Sequence, residues 1–475
     1  MSSPVATSLP IDAHLSSIRR ALATDVRLLL VAEPGAGKTT RVPLDLLDAE
    51  WCRGQRLLLL EPRRVAARLA AGYMAQALGE EVGQTVGYRM RGESRVSGST
   101  RLEVVTQGVL SRMLQHDPML EGVAGVLFDE FHERSLEADL GLALALDAQQ
   151  GLRDDLRLVV MSATLDVAAL KGVLGQDVAV IDCAGRQYPV TTRYRPTPSR
   201  MDAAEHQART VLGALDEAGG DALVILPGVR EIERLFKELK GRRPDLCVLP
   251  LHGRLPLEEQ RRALTPLADG KRRVVLSTAI AESSVTVDGV RLVVDAGFER
   301  GPVFAPRTGL TRLETRRVNR ASADQRRGRA GRQGPGLCVR LWAEEHPLVP
   351  HAEPEIRQAD LSGLAFELAR WGVKSADQLC WVTPPGTAAL AAGRDLLRRL
   401  GLIDERFGLT ELGRRAVRWP THPRLAAMLE RAAGKDAVGG RGDDALLALA
   451  CALAALLEGG DKSRRRDLGA ILADC

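Results

Sequence analysis

Residues 27–40 constrain this chain more than any other stretch. An apolar run, Arg27–Ala32, leads into a turn of small residues and then into Lys38-Thr39-Thr40, so that residues 32–39 read A-E-P-G-A-G-K-T. A strand, a glycine-rich turn and a Lys-Thr pair opening a helix is the arrangement in which backbone N–H groups close around phosphate oxygens. In that arrangement the lysine brings charge to the β- and γ-phosphates of a nucleotide, and the threonine hydroxyl binds Mg²⁺. Gly35, Ala36, Gly37, Lys38, Thr39 and Thr40 are therefore the candidate nucleotide ligands, and ATP and Mg²⁺ the expected cofactors. Ala32 stands where a first glycine is usual, a mild departure if the backbone there keeps φ negative.

Around that turn, short Leu/Val-rich runs alternate with helical patterns. Arg27–Ala32, Arg56–Leu60, Leu102–Thr106, Gly125–Phe128 and Leu156–Met161 read as one set of buried strands. Ala222–Leu226, Cys247–Leu249, Arg273–Ser277, Val290–Val294 and Leu337–Leu341 read as a second set. Continuous apolar runs fit parallel sheets covered on both faces, so the fold class is α/β, with two α/β domains in tandem, residues 1–188 and 189–350. Beyond about residue 350 the strands stop. Asp360–Trp371, Thr387–Leu400, Glu411–Val417 and Arg424–Ala433 read as helices, and Leu396–Pro420 has the helix, short strand, helix order of a winged helix. We expect a connector and winged helix over 351–425 and part of a further helical domain over 426–475, with a Gly/Asp-rich loop at Gly434–Asp444 and a basic run at Lys462–Arg466.

Composition narrows the function. A chain of 475 residues is too long for one ordinary core. Aromatic residues are only 3%, so stacking on many exposed rings is not the main way of holding bases, and at a net charge of +5 local Arg clusters matter more than the global field. The seven cysteines form no CxxC pair and read as buried thiols in a reducing cytosol. His14, His206, His346 and His351 have no metal-ligand spacing. The longest apolar run, Ala445–Leu457, is too short to span a bilayer, and the N-terminus has no signal-peptide pattern. A cytoplasmic protein with no membrane partner is expected.

The apolar strand Gly125–Phe128 runs into Asp129-Glu130-Phe131-His132. In the same sheet as the phosphate turn, one carboxylate at a strand end suits holding Mg²⁺ and its neighbour suits activating water. This block differs from the spelling DEAH only by Phe131. Ser162-Ala163-Thr164 follows the next strand, and Gln325-Arg326-Arg327-Gly328-Arg329-Ala330-Gly331-Arg332 lies before the last strand of the second set. With "STAIAESSVTVDGVRLVVDAGFER" (277–300), "LEPRRVAARLAA" (60–71) and Thr106-Gln107-Gly108, these six ordered blocks resemble the motifs of the DEAH-box superfamily-two helicases. "PRTGLTRLETRRVNRASADQRRGRAGR" (306–332) and "PEIRQADLSGLAFELARWG" (354–372) are similar to the bacterial HrpB type.

The resemblance implies two RecA-like P-loop domains, then a winged helix and the start of a helical ratchet-like domain. It implies an ATP-driven motor moving 3′ to 5′ on single-stranded RNA. It also implies that relatives continue past Cys475, so that the far C-terminal part is lacking here. Glu130 would be the base on the attacking water and, with Asp129 and Thr39, would serve the Mg²⁺ site. Gln325 would position that water, and Arg329 and Arg332 would be arginine fingers. His132, Ser162 and Thr164 would couple the two activities. Adenine would stack between Phe298 and Tyr73, the latter replacing the family's Arg, and Asp288 would take the ribose. Arg63, Arg64, Thr106, Gln107, Thr278 and Arg307 would face the nucleic acid, and a hairpin over about 303–318 would lie beside it. A monomer is expected. A DNA or hybrid helicase, or an ATP-switched clamp that does not unwind, are the other readings; Glu130, Gln325, Arg329 and Arg332 argue against the clamp.

Overall fold

The computed structural model describes residues 9–33, 35–163, 166–185, 188–267, 270–282, 287–305, 308–434 and 444–459. The first sheet is built from β1 (Arg27–Ala32), β2 (Arg56–Glu61), β3 (Val86–Met90), β4 (Glu93–Arg95), β5 (Leu102–Thr106), β6 (Val123–Phe128), β7 (Arg157–Ser162) and β8 (Ala179–Cys183). Its order is β4-β3-β5-β2-β6-β7-β1-β8, parallel throughout except for the β3–β4 pair. Leu28, Leu30, Leu57, Leu59, Leu127 and Val159 on the strands pack with Ile18, Leu22, Val42, Leu46, Ala67 and Met74 on the covering helices. Each of the fully buried leucines stabilises the sheet by about 1.5–3 kcal/mol through apolar area removed from water.

The same parallel pairing decides where chemistry can sit. β6, β7 and β1 are neighbours, with Phe128 beside Val160 and Ser162 beside Val31. The residues that follow β1, β6 and β7 therefore emerge at one edge of the sheet, the edge where open α/β sheets bind ligands.

The second sheet contains β9 (Val190–Tyr194), β10 (Asp221–Ile225), β11 (Leu246–Leu251), β12 (Arg272–Ser277), β13 (Val290–Asp295) and β16 (Gly336–Arg340), in the all-parallel order β11-β12-β10-β13-β16-β9. The two tandem α/β lobes expected from the apolar runs are present. Four strands of the two sheets escaped that reading. β8 and β9 lie at sheet edges and alternate half-buried with exposed residues. β3 is interrupted by a glycine and a charged residue, and β4 is short and mostly exposed. The expected hairpin is the two-stranded ribbon of β14 (Phe298–Ala305) and β15 (Leu310–Arg317), which begins five residues earlier than expected and puts Phe298 on its first strand.

Nearly all residues up to Glu355 form one compact unit, and the chain from Ile356 on forms another. The second unit is helical: Ser362–Trp371, Thr387–Arg399, Glu411–Ala416, Pro423–Ala432 and Asp444–Gly459. The wing expected between the second and third of these helices is a single antiparallel bridge, Ile403 to Leu409. Asp360 joins Ser362 to the His422 ring, fastening the first helix to the fourth. Residues 435–443, most of the expected loop, and the basic run 462–466 lie outside the described residues.

A buried cation organises the second lobe. Arg326 is fully buried, with Nε donating to Glu282 Oε2 at 2.9 Å and Nη1 to Asp295 Oδ1 at 3.0 Å. Glu282 also accepts the Ser322 hydroxyl. Burial alone would make Arg326 easier to deprotonate, but Asp295 and Glu282 outweigh it and its pKa lies above the ordinary value. Removing this guanidinium would strand two buried carboxylates. Arg326→Met should cost about 3–5 kcal/mol, as broken buried ion pairs do, measured as a drop in the chemical unfolding midpoint. A loss below about 1 kcal/mol, the range of exposed pairs, would contradict this account.

Candidate active site

The phosphate turn needs glycine for its backbone path. Gly35 and Gly37 have φ of 90° and 99°, a region open to glycine and strained for other residues. A Cβ on Gly37 would also lie 2.8 Å from Leu9 Cδ1 and 2.9 Å from Ile11 Cγ2. The segment before the first helix braces the turn, with Ile11 N donating to the Ala36 carbonyl at 3.1 Å. Ala32 ends β1 and is not among the positive-φ residues, so its Cβ is tolerated there. Thr39 and Thr40 open the helix Lys38–Leu46, and Thr40 N donates to the Gly37 carbonyl.

Three charges meet at the mouth of the turn. Lys38 Nζ lies 2.8 Å from Glu130 Oε1 and 3.4 Å from Asp129 Oδ1, and all three residues are buried. Burial alone would drive the ammonium toward neutrality, but the two carboxylates outweigh it and raise its pKa. Burial likewise pushes Glu130 up, yet Lys38, ahead of His132 and Arg329, pulls it down to about 2, so it is ionised at neutral pH. Asp129 is raised, chiefly by burial. Glu130 has φ 48° and ψ 37°. This left-handed conformation costs a non-glycine residue on the order of 1–3 kcal/mol and clusters at functional sites.

The Thr39 hydroxyl donates to Asp129 Oδ2. A hydroxyl beside a carboxylate is the hard-oxygen donor set that suits Mg²⁺, which takes few protein ligands and completes its shell with phosphate oxygens and water. No group of three or more His, Cys, Asp or Glu among the described residues could hold a metal without such help.

From the acidic block a hydrogen-bond chain crosses to the second lobe. Gln325 Nε2 lies 2.8 Å from His132 Nε2, and His132 Nδ1 lies 2.9 Å from Ser162 Oγ and 3.4 Å from Glu130 Oε2. With Gln325 donating, the neutral imidazole carries its proton on Nδ1, between Ser162 and Glu130. Gln325 thus touches His132 directly, a contact that the water-positioning expectation did not include.

The two expected fingers differ. Arg332 Cζ lies 3.8 Å from where a Gly35 Cβ would be, so this guanidinium packs against the phosphate turn. Burial lowers its pKa to about 10, opposed by Glu130, Asp288 and Glu33, and it stays charged at neutral pH. Arg329 is buried, with Nε donating to the Glu282 carbonyl at 2.8 Å and Nη2 donating to the same oxygen.

Comparison with known proteins agrees with this geometry. Residues 12–172 match the DEAD/DEAH box helicase model, and residues 206–334 match the helicase conserved C-terminal domain. The chain belongs to the DEAD/DEAH box helicases. It is 47% identical over 467 residues to the ATP-dependent RNA helicase HrpB of Escherichia coli (strain K12), a match covering 98% of this chain and 56% of that protein. Crystal structures described as E. coli DEAH/RHA helicase HrpB and E. coli DExH-box NTPase HrpB superpose with TM-scores of 0.91 and 0.87, each at 45% identity, covering 98% of this chain and 58% and 57% of theirs. The chain thus spans a little over half the length of these relatives.

In this DEAD/DEAH box protein the remaining candidates fall into three groups. Phe298 and Asp288 lie on the second lobe, with the Phe298 ring 4.0 Å from the Arg317 guanidinium, while Tyr73 is exposed on the first. Arg63 is engaged internally: Nη1 donates to the Ala279 carbonyl at 2.8 Å, and Nη2 lies 3.1 Å from Glu133. Arg64 is exposed and pairs with Glu93 at 3.2 Å, and Thr106 and Thr278 are half-buried at element ends. Gln107 departs from expectation. It is buried, and its carbonyl oxygen accepts the Ser135 hydroxyl at 2.5 Å, because the helix it opens turns that side chain into the lobe. Thr164 and Arg307 lie outside the described residues.

One group was missed. Glu61 ends β2 beside the acidic block, is buried, and has no hydrogen-bond partner for Oε2. Burial, then Asp129 and Glu130, raise its pKa well above the usual carboxylate range. The signal was legible: a carboxylate closing an all-leucine strand, as Asp129 closes β6.

Two outcomes follow from this geometry. Lys38→Ala should weaken ATP binding, while Glu130→Gln should bind ATP with near-parent affinity and hydrolyse it slowly; parent-rate hydrolysis by the latter would remove Glu130 as base. Arg332→Ala should lower kcat strongly, toward the roughly 10³-fold at the lower end of arginine-finger effects. Arg329→Ala should lower thermal stability as well, since it ties down a carbonyl. Equal thermal shifts with unchanged kcat in both variants would make the cluster purely structural.

Proposed function

We propose that this chain is an ATP-dependent RNA helicase or translocase that couples ATP hydrolysis to 3′-to-5′ movement on single-stranded RNA. The observation that carries the reading is the composite site: Lys38, Asp129 and Glu130 of the first lobe lie in one cluster with Arg332 of the second packed against the same phosphate turn. Lys38 is placed to neutralise β/γ-phosphate oxygens, and Glu130, ionised and strained, to take the proton of the attacking water. Arg332 brings the second lobe's charge to oxygens that become more negative in the transition state, where preorganised cations act most strongly. Thr39 and Asp129 would hold Mg²⁺, which would supply positive charge to the phosphates. Hydrolysis would remove what Arg332 binds and so alter the contact between the lobes.

Arg63, Arg64, Thr106 and Thr278 offer charge and hydroxyl groups rather than base-reading edges, which suits a motor that grips phosphates in any sequence. Arg63 would exchange Glu133 for a strand phosphate. RNA over DNA is supported by the likeness to an ATP-dependent RNA helicase, and the 3′-to-5′ sense, a monomer and a cytoplasmic setting are part of the same proposal. Among the described residues no helix is long and apolar enough to cross a membrane.

The test is ATPase activity with single-stranded RNA, single-stranded DNA or neither, together with unwinding of RNA duplexes bearing a 3′ or a 5′ overhang. RNA should stimulate hydrolysis more than DNA, and only the 3′-tailed duplex should open. Affinity for two unrelated RNAs should fall alike with salt, at about 0.7 per neutralised phosphate on a log–log plot. Hydrolysis indifferent to nucleic acid would reject the motor reading, and opening of the 5′-tailed duplex would reject the direction.

A further inference from the structure

Gln333 directly follows Arg332, and the mechanism above gives it no task. Its side chain makes two bonds to the loop before β13: Gly289 N donates to Oε1 at 2.8 Å, and Nε2 donates to Asp288 Oδ1 at 3.2 Å. Both ends of the amide are thus used on one short stretch of backbone and one carboxylate. The turn carrying Gln333 is itself fastened. Arg291 Nη2 donates to the Gln333 carbonyl at 3.0 Å and Nη1 to the Pro335 carbonyl at 3.3 Å. A Cβ on Gly334 would lie 1.7 Å from Arg291 Nη1, so only glycine lets that clamp close.

Asp288 is held from a second side. The fully buried Arg273 pairs with Asp221 at 2.7 Å and donates to the Asp288 carbonyl. The main chain of residue 288 is therefore anchored by Arg273, while its exposed carboxylate is aimed by Gln333. The carboxylate is thus hydrogen-bonded to the residue next to Arg332, whose guanidinium packs on the phosphate turn.

We propose that Gln333 is a positioning and specificity-determining residue for the nucleotide: it locks the Asp288 carboxylate, with the Gly289 N–H, in the orientation that accepts the ribose hydroxyls. The inference rests on the reading of Asp288 as the ribose ligand. It also links sugar recognition to the Arg332 finger through one peptide bond, so that a nucleotide without the proper sugar loses part of the alignment.

Steady-state ATPase assays of the full chain with ATP, 2′-deoxy-ATP and 3′-deoxy-ATP separate the possibilities, for the parent, Asp288→Ala, Gln333→Ala and Gln333→Glu. The parent should prefer ATP, and Asp288→Ala should erase that preference. Gln333→Ala should raise KM for ATP by about threefold to tenfold, the value of one lost hydrogen bond. It should change kcat less and bring the ATP to deoxy-ATP ratio of KM toward that of Asp288→Ala. Gln333→Glu keeps the acceptor for Gly289 N–H but faces Asp288 with a like charge, so it should lose the same discrimination and serves where the alanine variant folds poorly. If Asp288→Ala erases discrimination while both Gln333 variants keep it, or lower kcat equally for all three nucleotides, the positioning role is overturned. If Asp288→Ala discriminates like the parent, the ribose reading itself fails and takes this inference with it.

Discussion

The buried ammonium of Lys38 is the interaction on which the rest of the site depends. Three carboxylates, Glu61, Asp129 and Glu130, close strands of one sheet at one edge and are taken out of water there. Without a cation, such a cluster would protonate or open, because burying like charges together is costly. Lys38 resolves this unequally. It pairs closely with Glu130 and less closely with Asp129, and Glu61 is left as the group whose charged form is disfavoured. Glu130 is thereby ionised, while burial and the charges of Asp129 and Glu130 push Glu61 toward its neutral form.

The second lobe uses arginine where the first uses lysine. Arg326, Arg273 and Arg329 are buried and spend their donors on carboxylates and carbonyls of the loops that carry Asp288, Phe298 and Glu282. A planar guanidinium can hold two or three acceptors in fixed directions, which a lysine cannot. Arg332, half-buried, instead packs against the first lobe's phosphate turn. An arginine-rich motif thus divides into arginines bonded within their own lobe and one that packs against the phosphate turn, and the spelling of the motif does not say which is which.

Contacts between the lobes run through polar groups as well as packing. Gln325 meets His132, Arg63 meets the Ala279 carbonyl, and Val65 and Leu69 pack on the apolar cluster that holds Ile280. These contacts join the acidic block, the serine at the end of β7 and the loop after β12. A change in any one of them is therefore felt at the others.

Much of this was legible in the amino-acid order. Buried parallel strands need uninterrupted apolar runs, and Leu28–Leu30, Leu57–Leu60 and Val274–Leu276 announce them. A turn that wraps phosphates needs glycine at positive φ, and Gly35 and Gly37 announce that. The edge strands β8 and β9 were not legible, because a strand with one open side needs no continuous apolar run. Nor could order alone separate Arg329 from Arg332, turn Gln107 inward, or occupy Arg63 with Glu133. Those outcomes depend on which acceptors long-range folding brings within about 3 Å of a donor, the reach of a hydrogen bond. The sequence determined the strands, the phosphate turn and the charges available to it. The tertiary structure decided which of those charges meet at the phosphate turn and which became struts, because only packing sets the distances between residues far apart in the chain.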